Sequence, residues 1–297
     1  MKIIFIGTVK SSYEKLKLLI QLKADIVGVI TKKSSPFNTD HVDLSSLCKT
    51  HNIDYIYSEK SINAPPIISW IQEKKTDIIF CFGWSEIIKK DILNIPPMGV
   101  IGFHPAQLPK NRGRHPIIWA LVLGLDQTAS SFFFMDEGAD SGDILSQETI
   151  DITYDDDANT LYNKVVNTAL NQIKIFLPLL KQNTFKRRPQ NPSQANTWRK
   201  RSIPDGIIDF RMSSYAIYNL IRGLTHPYCG AIIKINDTKM VVWKSEEVFN
   251  IPPNIEPGKI LKIDRKNTYF IVKCSDNAIK IYSSIDQIDL LQGNYLI

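Results

Sequence analysis

One histidine stands at the end of an apolar run and directly before a basic loop. It is His104, in the stretch GVIGFHPAQLPKNRGRHPIIWAL at residues 99–121. An imidazole changes its protonation state near neutral pH, which suits general acid or base catalysis. The alternative is a structural histidine whose ring is satisfied by a backbone carbonyl group. The position of His104 alone supports both interpretations.

A turn rich in acidic residues and glycine lies further along the chain, in DEGADSGD at residues 136–143. Aspartate next to glycine is common in turns, so turn formation is the simpler explanation. The carboxylates could also bind a divalent cation, but their spacing lacks the regular alternation of a ligand loop, so we expect no metal site. If the turn folds back onto His104, the carboxylate of Asp140 would orient the imidazole ring.

Two basic clusters are candidates for binding an anionic ligand. The first is the loop LPKNRGR at residues 108–114. Guanidinium groups bind anions through paired hydrogen bonds, although a solvated loop also explains these charges. The second cluster comprises Lys186, Arg187, Arg188, Arg199, Lys200 and Arg201. It either lines a ligand cleft or keeps a linker soluble, and Trp198 beside it favours contact with a base or a sugar.

Hydrophobic periodicity predicts the elements that position these residues. Apolar β-branched runs alternate with segments of helical period over the first half of the chain. The predicted strands include KIIFIG, DIVGVIT, IDYIYS, TDIIFCFG and GVIGFH. This alternation indicates an α/β fold with a doubly wound, mostly parallel sheet, in which ligands bind beyond the carboxyl ends of the strands. His104 ends one of these strands.

A different pattern begins after residue 183. The stretch TFKRRPQNPSQANTWRKRSIPDG is rich in proline, amides and cations and lacks periodicity, which predicts a linker. A helical segment and several short strands follow, as is typical of a small β-barrel or sandwich, and KMVVWKSEEVF is predicted as one of these strands. We therefore predict one domain at residues 1–205, which includes the basic linker, and a smaller, β-rich, barrel-like domain at residues 206–297.

Composition narrows the function classes without choosing one. The chain has 297 residues, a net charge of +6 and a pI near 9.0, which suits several kinds of anionic ligand. Its four cysteines lie far apart without a Cys-x-x-Cys pair, so we expect buried free thiols rather than a zinc site or disulfides. No apolar run is long enough for a membrane span or a signal peptide, so we expect a cytoplasmic protein with no membrane partner.

The paired motifs resemble a known family. GFHPAQLPKNRGRHP followed by MDEGADSGDIL is similar to the folate-dependent formyltransferases, whose pattern is Asn-x-His, LLPxxRG and an aspartate in an xDxG turn. TWRKRSIPDGIIDF and IYNLIRGLTHPYCGA resemble the region that follows the catalytic domain of methionyl-tRNA and nucleotide-sugar formyltransferases. The resemblance covers nearly the whole chain. It implies a Rossmann-like formyltransferase domain followed by the barrel-like domain.

The resemblance implies transfer of a formyl group from 10-formyltetrahydrofolate, the cosubstrate, to an amine. His104 would be the general acid or base, and Asp140 the carboxylate that holds it. The residues implied in folate binding are Glu86, Ile87, Ile88, Arg114, Asp136, Glu137, Gly138, Ala139 and Asp140. Since the folate nitrogen N10 is the leaving group, the protein would supply position and charge without a metal or a covalent intermediate.

Gly102 departs from the family pattern. The family has an asparagine two residues before the histidine, and the resemblance implies that this side chain would stabilise the oxyanion of the tetrahedral intermediate. Losing such a donor typically costs roughly 3 kcal/mol, or about a hundredfold in rate. Asn111, Gln107 or a backbone N–H group could compensate, and a non-catalytic folate-binding relative is the alternative. We expect activity because His104, Asp140 and the basic loop are present.

The acceptor is predicted from one stretch near the N-terminus. Methionyl-tRNA formyltransferases carry a long basic insertion after the second strand, whereas here TKKSSPFNTDHVDLSSLCK is short. We therefore expect a nucleotide-linked amino sugar for surface polysaccharide biosynthesis, such as lipopolysaccharide, and no nucleic acid, with methionyl-tRNA as the alternative. The predicted ligands of the sugar nucleotide's diphosphate are Arg199, Lys200, Arg201 and Arg222. The resemblance also implies a homodimer.

Overall fold

The computed structural model describes residues 1–35, 39–235, 238–283 and 291–296. They divide into two compact units. The first comprises residues 1–116, 128–150 and 163–199, and the second comprises residues 117–127, 151–162 and 200–297. The segments 117–127 and 151–162 thus group with the C-terminal part of the chain. The domain boundary after residue 205 stays a prediction.

The first unit is an α/β structure. Its strands are β1 (Lys2–Ile6), β2 (Asp25–Thr31), β3 (Tyr55–Tyr57), β4 (Ile78–Cys81), β5 (Val100–His104), β6 (Arg112–Gly113), β7 (Gln127–Phe134), β8 (Ile144–Asp151) and β9 (Thr197–Trp198). Helices α1 (Lys10–Gln21), α2 (Ser45–Thr50), α3 (Pro65–Glu73), α4 (Lys90–Leu93), α5 (Pro116–Val122) and α6 (Ala158–Lys181) connect or follow them. Of these, α5 beyond Pro116 and the start of α6, residues 158–162, group with the second unit. Strands and helices therefore alternate as the hydrophobic periodicity predicts.

Seven strands form one sheet in the order β3-β2-β1-β4-β5-β7-β8. Strands β1 to β5 pair in parallel, and β7 pairs antiparallel with β5. The prediction of a doubly wound, mostly parallel sheet is confirmed. Because β1, β4 and β5 run in the same direction, their carboxyl ends meet at one edge, where His104 ends β5.

Both faces of this sheet are buried, which explains why its strands are apolar throughout rather than alternating. On β1, Ile3 and Phe5 belong to the cluster on the side of α1 and α6, where Phe176 also packs. Ile4 and Ile6 belong to the opposite cluster, with residues of α3. The side chains alternate between faces along the strand, and each face is covered by helices.

A lysine is buried in α1. Lys15 has no exposed surface, and its Nζ lies 4.0 Å from the centre of the Phe103 ring. Nζ also donates to Oγ of Ser11 at 3.2 Å and to its carbonyl oxygen at 3.4 Å, both long contacts. Loss of hydration lowers the pKa of Lys15 to about 7, against a smaller opposing effect of Asp40.

The second unit is rich in antiparallel strands. It contains helix α7 (Ser214–Leu224) and strands β10 (Ala231–Ile235), β11 (Thr238–Val242), β12 (Lys244–Val248), β13 (Ile260–Asp264), β14 (Tyr269–Lys273) and β15 (Ala278–Tyr282). Strands β10 and β11 form a hairpin, and the other four form a sheet in the order β12-β15-β14-β13. The predicted β-rich C-terminal domain is confirmed.

One predicted strand of this unit is divided. KMVVWKSEEVF reads as a single strand, but β11 and β12 belong to different sheets, and Trp243 lies between them. Strand β11 pairs with β10, whereas β12 pairs with β15. Continuous β propensity therefore spans a point where the chain leaves one sheet and enters another.

Two further expectations concern cysteines and membrane spans. Cys48, Cys81 and Cys274 are buried free thiols as expected, whereas Cys229 is exposed. Within the described ranges, no helix combines the length and the apolar character that a membrane crossing requires.

Candidate active site

His104 occupies the carboxyl end of β5, between β4 and β7. His104 is 5% exposed, and in the pairing of β5 with β7 it lies opposite Ser131. Ser131 Oγ donates to the carbonyl oxygen of Ala106 at 2.6 Å, which holds the chain immediately after the histidine. The strand and this contact fix the backbone of His104 and leave its ring directed toward the loops beyond the strand end.

Both ring nitrogens of His104 face acceptors. Nε2 lies 2.7 Å from the carbonyl oxygen of Asn111, and Nδ1 lies 3.5 Å from Oδ2 of Asp140. A carbonyl oxygen only accepts, so Nε2 carries the hydrogen of this contact. The carboxylate then orients the ring through Nδ1, and the predicted meeting of His104 and Asp140 is present in the structure.

The turn that carries Asp140 is held by its own side chains. Asp136 Oδ1 accepts from the backbone N–H of Gly138 at 3.0 Å and from Ser141 Oγ at 2.6 Å. A Cβ atom on Gly142 would lie 1.8 Å from the carbonyl oxygen of Phe134, so only glycine fits there. In the described residues, no group of three or more histidine, cysteine or acidic side chains is arranged to hold a metal. Asp136 therefore stabilises the turn from within.

The segment after the histidine, residues 111–114, is held by β9. Strand β6 pairs in parallel with β9, and Asn196 Oδ1 accepts from the backbone N–H of Asn111 at 2.7 Å. A Cβ atom on Gly113, whose φ is +102°, would lie 2.3 Å from the carbonyl oxygen of Trp198. The stretch predicted as a linker therefore contributes a strand to the site. Sequence reasoning missed this contribution because a two-residue strand leaves no periodicity.

Gly113 also reaches the acidic turn. Its backbone N–H donates to Oδ2 of Asp140 at 2.9 Å, the same oxygen that faces His104. Asp140 itself adopts φ of 56°, a left-handed conformation that aspartate tolerates better than most residues. The loop and the turn thus share one carboxylate.

Residues predicted to bind folate lie in two loops at this edge. Ile87 is 68% exposed and Ile88 is buried. Arg114 Nη1 donates to the carbonyl oxygen of Ser85 at 2.6 Å, which brings the basic loop to the segment of residues 85–88. Lys90 Nζ lies 2.9 Å from Glu137 Oε1, so α4 also reaches the acidic turn. The predicted folate residues are therefore close in space.

Glu86 has a structural role in the loop before α4. Its carboxylate accepts from Oγ of Ser61, from the backbone N–H of Ile62 at 3.1 Å and from Nδ2 of Asn63 at 3.3 Å. These contacts occupy both carboxylate oxygens. Any contact of Glu86 with a ligand is therefore expected through its backbone.

The predicted diphosphate ligands separate into two kinds. Arg199 and Lys200 are exposed, whereas Arg201 is 8% exposed. The guanidinium of Arg201 lies 4.6 Å from the ring centre of Trp119 and donates to the carbonyl oxygen of Asp205. Arg201 therefore packs within the second unit, which differs from its predicted role.

Arg222 departs further from the prediction. It is 6% exposed, and Nη1 donates to the carbonyl oxygens of Thr153, Tyr154 and Asp156 at 2.8 to 2.9 Å. Its Nε donates to Oδ1 of Asn219 at 2.7 Å. A guanidinium with this many backbone acceptors stabilises the segment at residues 153–156. These contacts correct the expectation that Arg222 binds a diphosphate.

The space beside Gly102 is filled. A Cβ atom on Gly102 would lie 2.8 Å from Cζ of Phe133 and 2.9 Å from Cγ of Met135. The side chain of an asparagine at this position would occupy the same volume as these two residues. The replacement of the family asparagine by glycine is thus accompanied by apolar side chains that take its place.

Comparison with known proteins identifies the family. Residues 1–175 match the family described as Formyl transferase, and residues 202–287 match Formyl transferase, C-terminal domain. The chain belongs to the formyl transferase family. It is therefore a formyl-transferring enzyme, as the paired histidine and aspartate motifs predict.

Two curated relatives of this formyltransferase carry different names. Methionyl-tRNA formyltransferase of Ruminiclostridium cellulolyticum is 32% identical over 95% of this chain and 90% of its own length. The bifunctional polymyxin resistance protein ArnA of Wigglesworthia glossinidia brevipalpis is 32% identical over 96% of this chain and 43% of its own length. Sequence identity alone does not separate these two relatives.

A solved structure supports the same fold. The sugar 3N-formyl transferase WlaRD, determined in the presence of dTDP and 5-N-formyl-THF, superimposes with a TM-score of 0.74 at 20% identity. The match covers 97% of this formyltransferase and 99% of WlaRD. Both parts of the chain are therefore included in the shared architecture.

Proposed function

We propose that this formyltransferase moves a formyl group from 10-formyltetrahydrofolate to the amine of a nucleotide-linked amino sugar. The observation that carries the reaction is the buried His104 with its Nδ1 3.5 Å from Asp140 at the carboxyl edge of the sheet. The proposal includes a cytoplasmic homodimer that serves surface polysaccharide biosynthesis, as the family resemblance implies.

The residues at this edge suit a folate. WlaRD was determined with a formyl-tetrahydrofolate present, which supports the same class of cosubstrate here. The segment of residues 85–88 offers backbone groups, because the carboxylate of Glu86 is already bonded within the protein. Trp84 Nε1 next to this segment is buried without a hydrogen-bond partner among the described residues, so it is a donor for a ligand oxygen or nitrogen.

His104 moves a proton in the proposed reaction. The acceptor amine attacks the formyl carbon, and the bond from that carbon to N10 of the folate breaks. The amine loses one proton and N10 gains one, so a single group that donates to N10 and then accepts the proton of the amine balances the transfer. Nε2 of His104 exchanges its contact with the Asn111 carbonyl for the reacting nitrogen, while Asp140 holds the ring through Nδ1.

The segment between β2 and α2 supports the choice of a sugar nucleotide. Residues 32–44 contain two lysines, Lys32 and Lys33, and two aspartates, Asp40 and Asp43, so their formal charges cancel. Lys32 Nζ lies 4.8 Å from the ring centre of Trp84, and Asp43 accepts from Tyr57 Oη at 2.9 Å. A neutral segment of this length is a poor surface for an RNA backbone. Residues 36–38 of this segment lie outside the described residues.

Exposed Arg199 and Lys200 remain the predicted contacts of the sugar nucleotide's diphosphate. A planar guanidinium bonds two phosphate oxygens at once, and an ammonium adds a point charge. Methionyl-tRNA is the second candidate acceptor, because curated relatives with 30% and 32% identity carry that name.

A single incubation tests the proposal. The protein is mixed with 10-formyltetrahydrofolate and with a panel of nucleotide-linked amino sugars, beside uncharged and methionyl-charged initiator tRNA, and products are followed by mass. A gain of one formyl group on an amino sugar is expected. Product on the charged tRNA alone would overturn the choice of acceptor. Folate binding without any product would identify a non-catalytic relative.

A further inference from the structure

Gln190 lies in the segment predicted as a linker, and both the nitrogen and the oxygen of its side-chain amide form hydrogen bonds. Nε2 donates to the carbonyl oxygens of Asp140 at 2.9 Å and Gly142 at 2.7 Å. Oε1 accepts from Arg112, at 2.7 Å from Nη2 and 3.3 Å from Nε. One half-buried side chain thus bonds the acidic turn with one end and the basic loop with the other.

These two loops carry the polar partners of His104. The turn presents the Asp140 carboxylate to Nδ1, and the residue before Arg112 presents its carbonyl oxygen to Nε2. The residue after Arg112, Gly113, donates its backbone N–H to the same Asp140 carboxylate. Gln190 therefore joins the two segments on either side of the imidazole, through the backbone of the turn and the side chain of Arg112.

An amide is the side chain that this position requires. It offers two N–H donors to the two carbonyl oxygens and an oxygen acceptor to the guanidinium. Glutamate would keep the acceptor for Arg112 but would set an oxygen against two carbonyl oxygens. Leucine is one atom shorter and apolar, and it removes all four contacts. The two substitutions therefore separate the contact with Arg112 from the contacts with the turn.

We infer that Gln190 is a positioning residue, which sets the distance between His104 and Asp140 by joining the acidic turn to the basic loop. This inference rests on the proposed function for its kinetic part. Displacement of a reacting group by about 1 Å commonly costs on the order of a hundredfold in rate. We expect Gln190→Leu to lower kcat about 10- to 100-fold, with smaller changes in KM and in folate affinity.

The kinetic test compares three variants. Gln190→Leu and Gln190→Glu should both lose kcat, because both lose the bonds to the turn. Gln194→Leu is the matched control, since Gln194 is an exposed glutamine of the same segment. Thermal unfolding of each variant confirms that it is folded. Wild-type kcat in Gln190→Leu would refute the inference, and so would full recovery in Gln190→Glu.

A spectroscopic test is independent of turnover. Protein labelled with 13C-carbonyl arginine and 15N-glycine reports only glycines that follow arginine, which in this chain are Gly113 and Gly223. The Gly113 amide bonds Asp140, so Gln190→Leu should move its signal, while Gly223 in the second unit serves as the internal reference. Gln194→Leu should move neither signal.

The two tests distinguish the possible failures. A shifted Gly113 signal in a protein that formylates no acceptor would retain the structural role of Gln190 and reject the proposed function. Formyl transfer by the wild type together with an unmoved Gly113 signal in Gln190→Leu would reject the positioning role and retain the function.

Discussion

His104 in the first unit and Arg222 in the second are both nearly buried, at 5% and 6% exposure, but their surroundings differ. Arg222 donates to three backbone carbonyl oxygens from one short segment and to Asn219. His104 has one carbonyl at 2.7 Å and a carboxylate at 3.5 Å, supplied by two separate loops. A buried cation saturated by adjacent backbone groups stabilises the fold. A ring held by one contact from each of two loops can exchange a partner for a substrate.

The largest expected effect is on catalysis. His104→Ala should lower kcat by about a thousandfold, because a general acid or base typically contributes about 10² to 10⁴ in rate. Folate binding, measured by quenching of tryptophan fluorescence, should change little. Retention of substantial formyl transfer in this variant would remove His104 from its assigned role.

Asp140→Asn tests the other half of the pair. The amide keeps the size of the side chain but removes the negative charge that faces Nδ1, so we expect a loss of kcat of about a hundredfold or more. Folate affinity serves as the control. Equal kcat in Asp140→Asn and wild type would show that the contact with His104 has no catalytic consequence.

Arg222→Met should act on stability instead. It removes the guanidinium donor from three carbonyl oxygens. Those of Thr153 and Tyr154 still accept from the Asp156 backbone N–H and from Tyr218 Oη, so the main loss is at the buried carbonyl of Asp156. We expect a loss of about 1–3 kcal/mol in the free energy of unfolding. The activity of each folded molecule should be preserved. Urea unfolding checks the first expectation, with Arg211→Met as the control because Arg211 has a side chain 84% exposed. A folded, stable Arg222→Met protein with a raised KM for the sugar nucleotide would instead restore the predicted binding role.

Gly102→Asn tests the packing beside His104. The new side chain meets Phe133 and Met135, so we expect overpacking to cost about 1–3 kcal/mol. Phe133→Leu removes the ring atoms that the new Cβ would touch, so the double variant should be more stable than the sum of the single changes. Unfolding free energies of the wild type, both single variants and the double variant give the coupling. Strict additivity would show that Phe133 does not exclude the asparagine.

Lys15 extends the comparison to a third buried basic side chain, one with only long hydrogen bonds. Its pKa is lowered to about 7 from 10.5, so the unfolded chain binds more protons than the folded chain between these values. Wild-type stability should therefore rise with pH across this window, by up to about 1.4 kcal/mol per pH unit. Lys15→Met should be more stable than wild type at pH 7, and this difference should shrink toward pH 10. Urea unfolding at several pH values measures it, beside the exposed control Lys17→Met, and equal pH slopes in both variants would contradict the expectation.

The sequence was sufficient for the elements of the first unit and for the expectation that His104 and Asp140 lie next to each other. Strands buried on both faces are continuous apolar runs, and helices carry the 3.6-residue period, so both are visible locally. His104 is recognisable because it ends a predicted strand, and Asp140 because it lies in a predicted turn. Both side chains can take part in proton transfer. The divided strand around Trp243 was missed, because β propensity does not record which partner a strand pairs with.

Local sequence patterns did not predict the contacts made by Gln190, Asn196 and Arg222. The hydrogen bond between Gln190 and Arg112 joins residues that are 78 positions apart in the sequence, and the bond between Asn196 and Asn111 joins residues that are 85 positions apart. No local sequence pattern indicates such distant pairs. Arg222 was assigned to a ligand because it carries a charge, but a charge does not reveal its own burial. The stretch that contains Gln190 and Asn196 is predicted as a linker because it lacks hydrophobic periodicity, and that pattern does not record hydrogen bonds made by amide side chains.

The sequence by itself determined the alternation of strands and helices, the change to a β-rich C-terminal part and the presence of a histidine and an aspartate suited to formyl transfer. Hydrophobic periodicity and backbone propensity act over a few residues, so a short stretch of sequence is enough to reveal them. The tertiary structure alone decided that Asp140 stands 3.5 Å from His104, that Gln190 joins the two loops beside it and that Arg222 is saturated by carbonyl groups. Those contacts depend on strand register and on how distant segments cross, because a hydrogen bond requires positions accurate to a few tenths of an ångström.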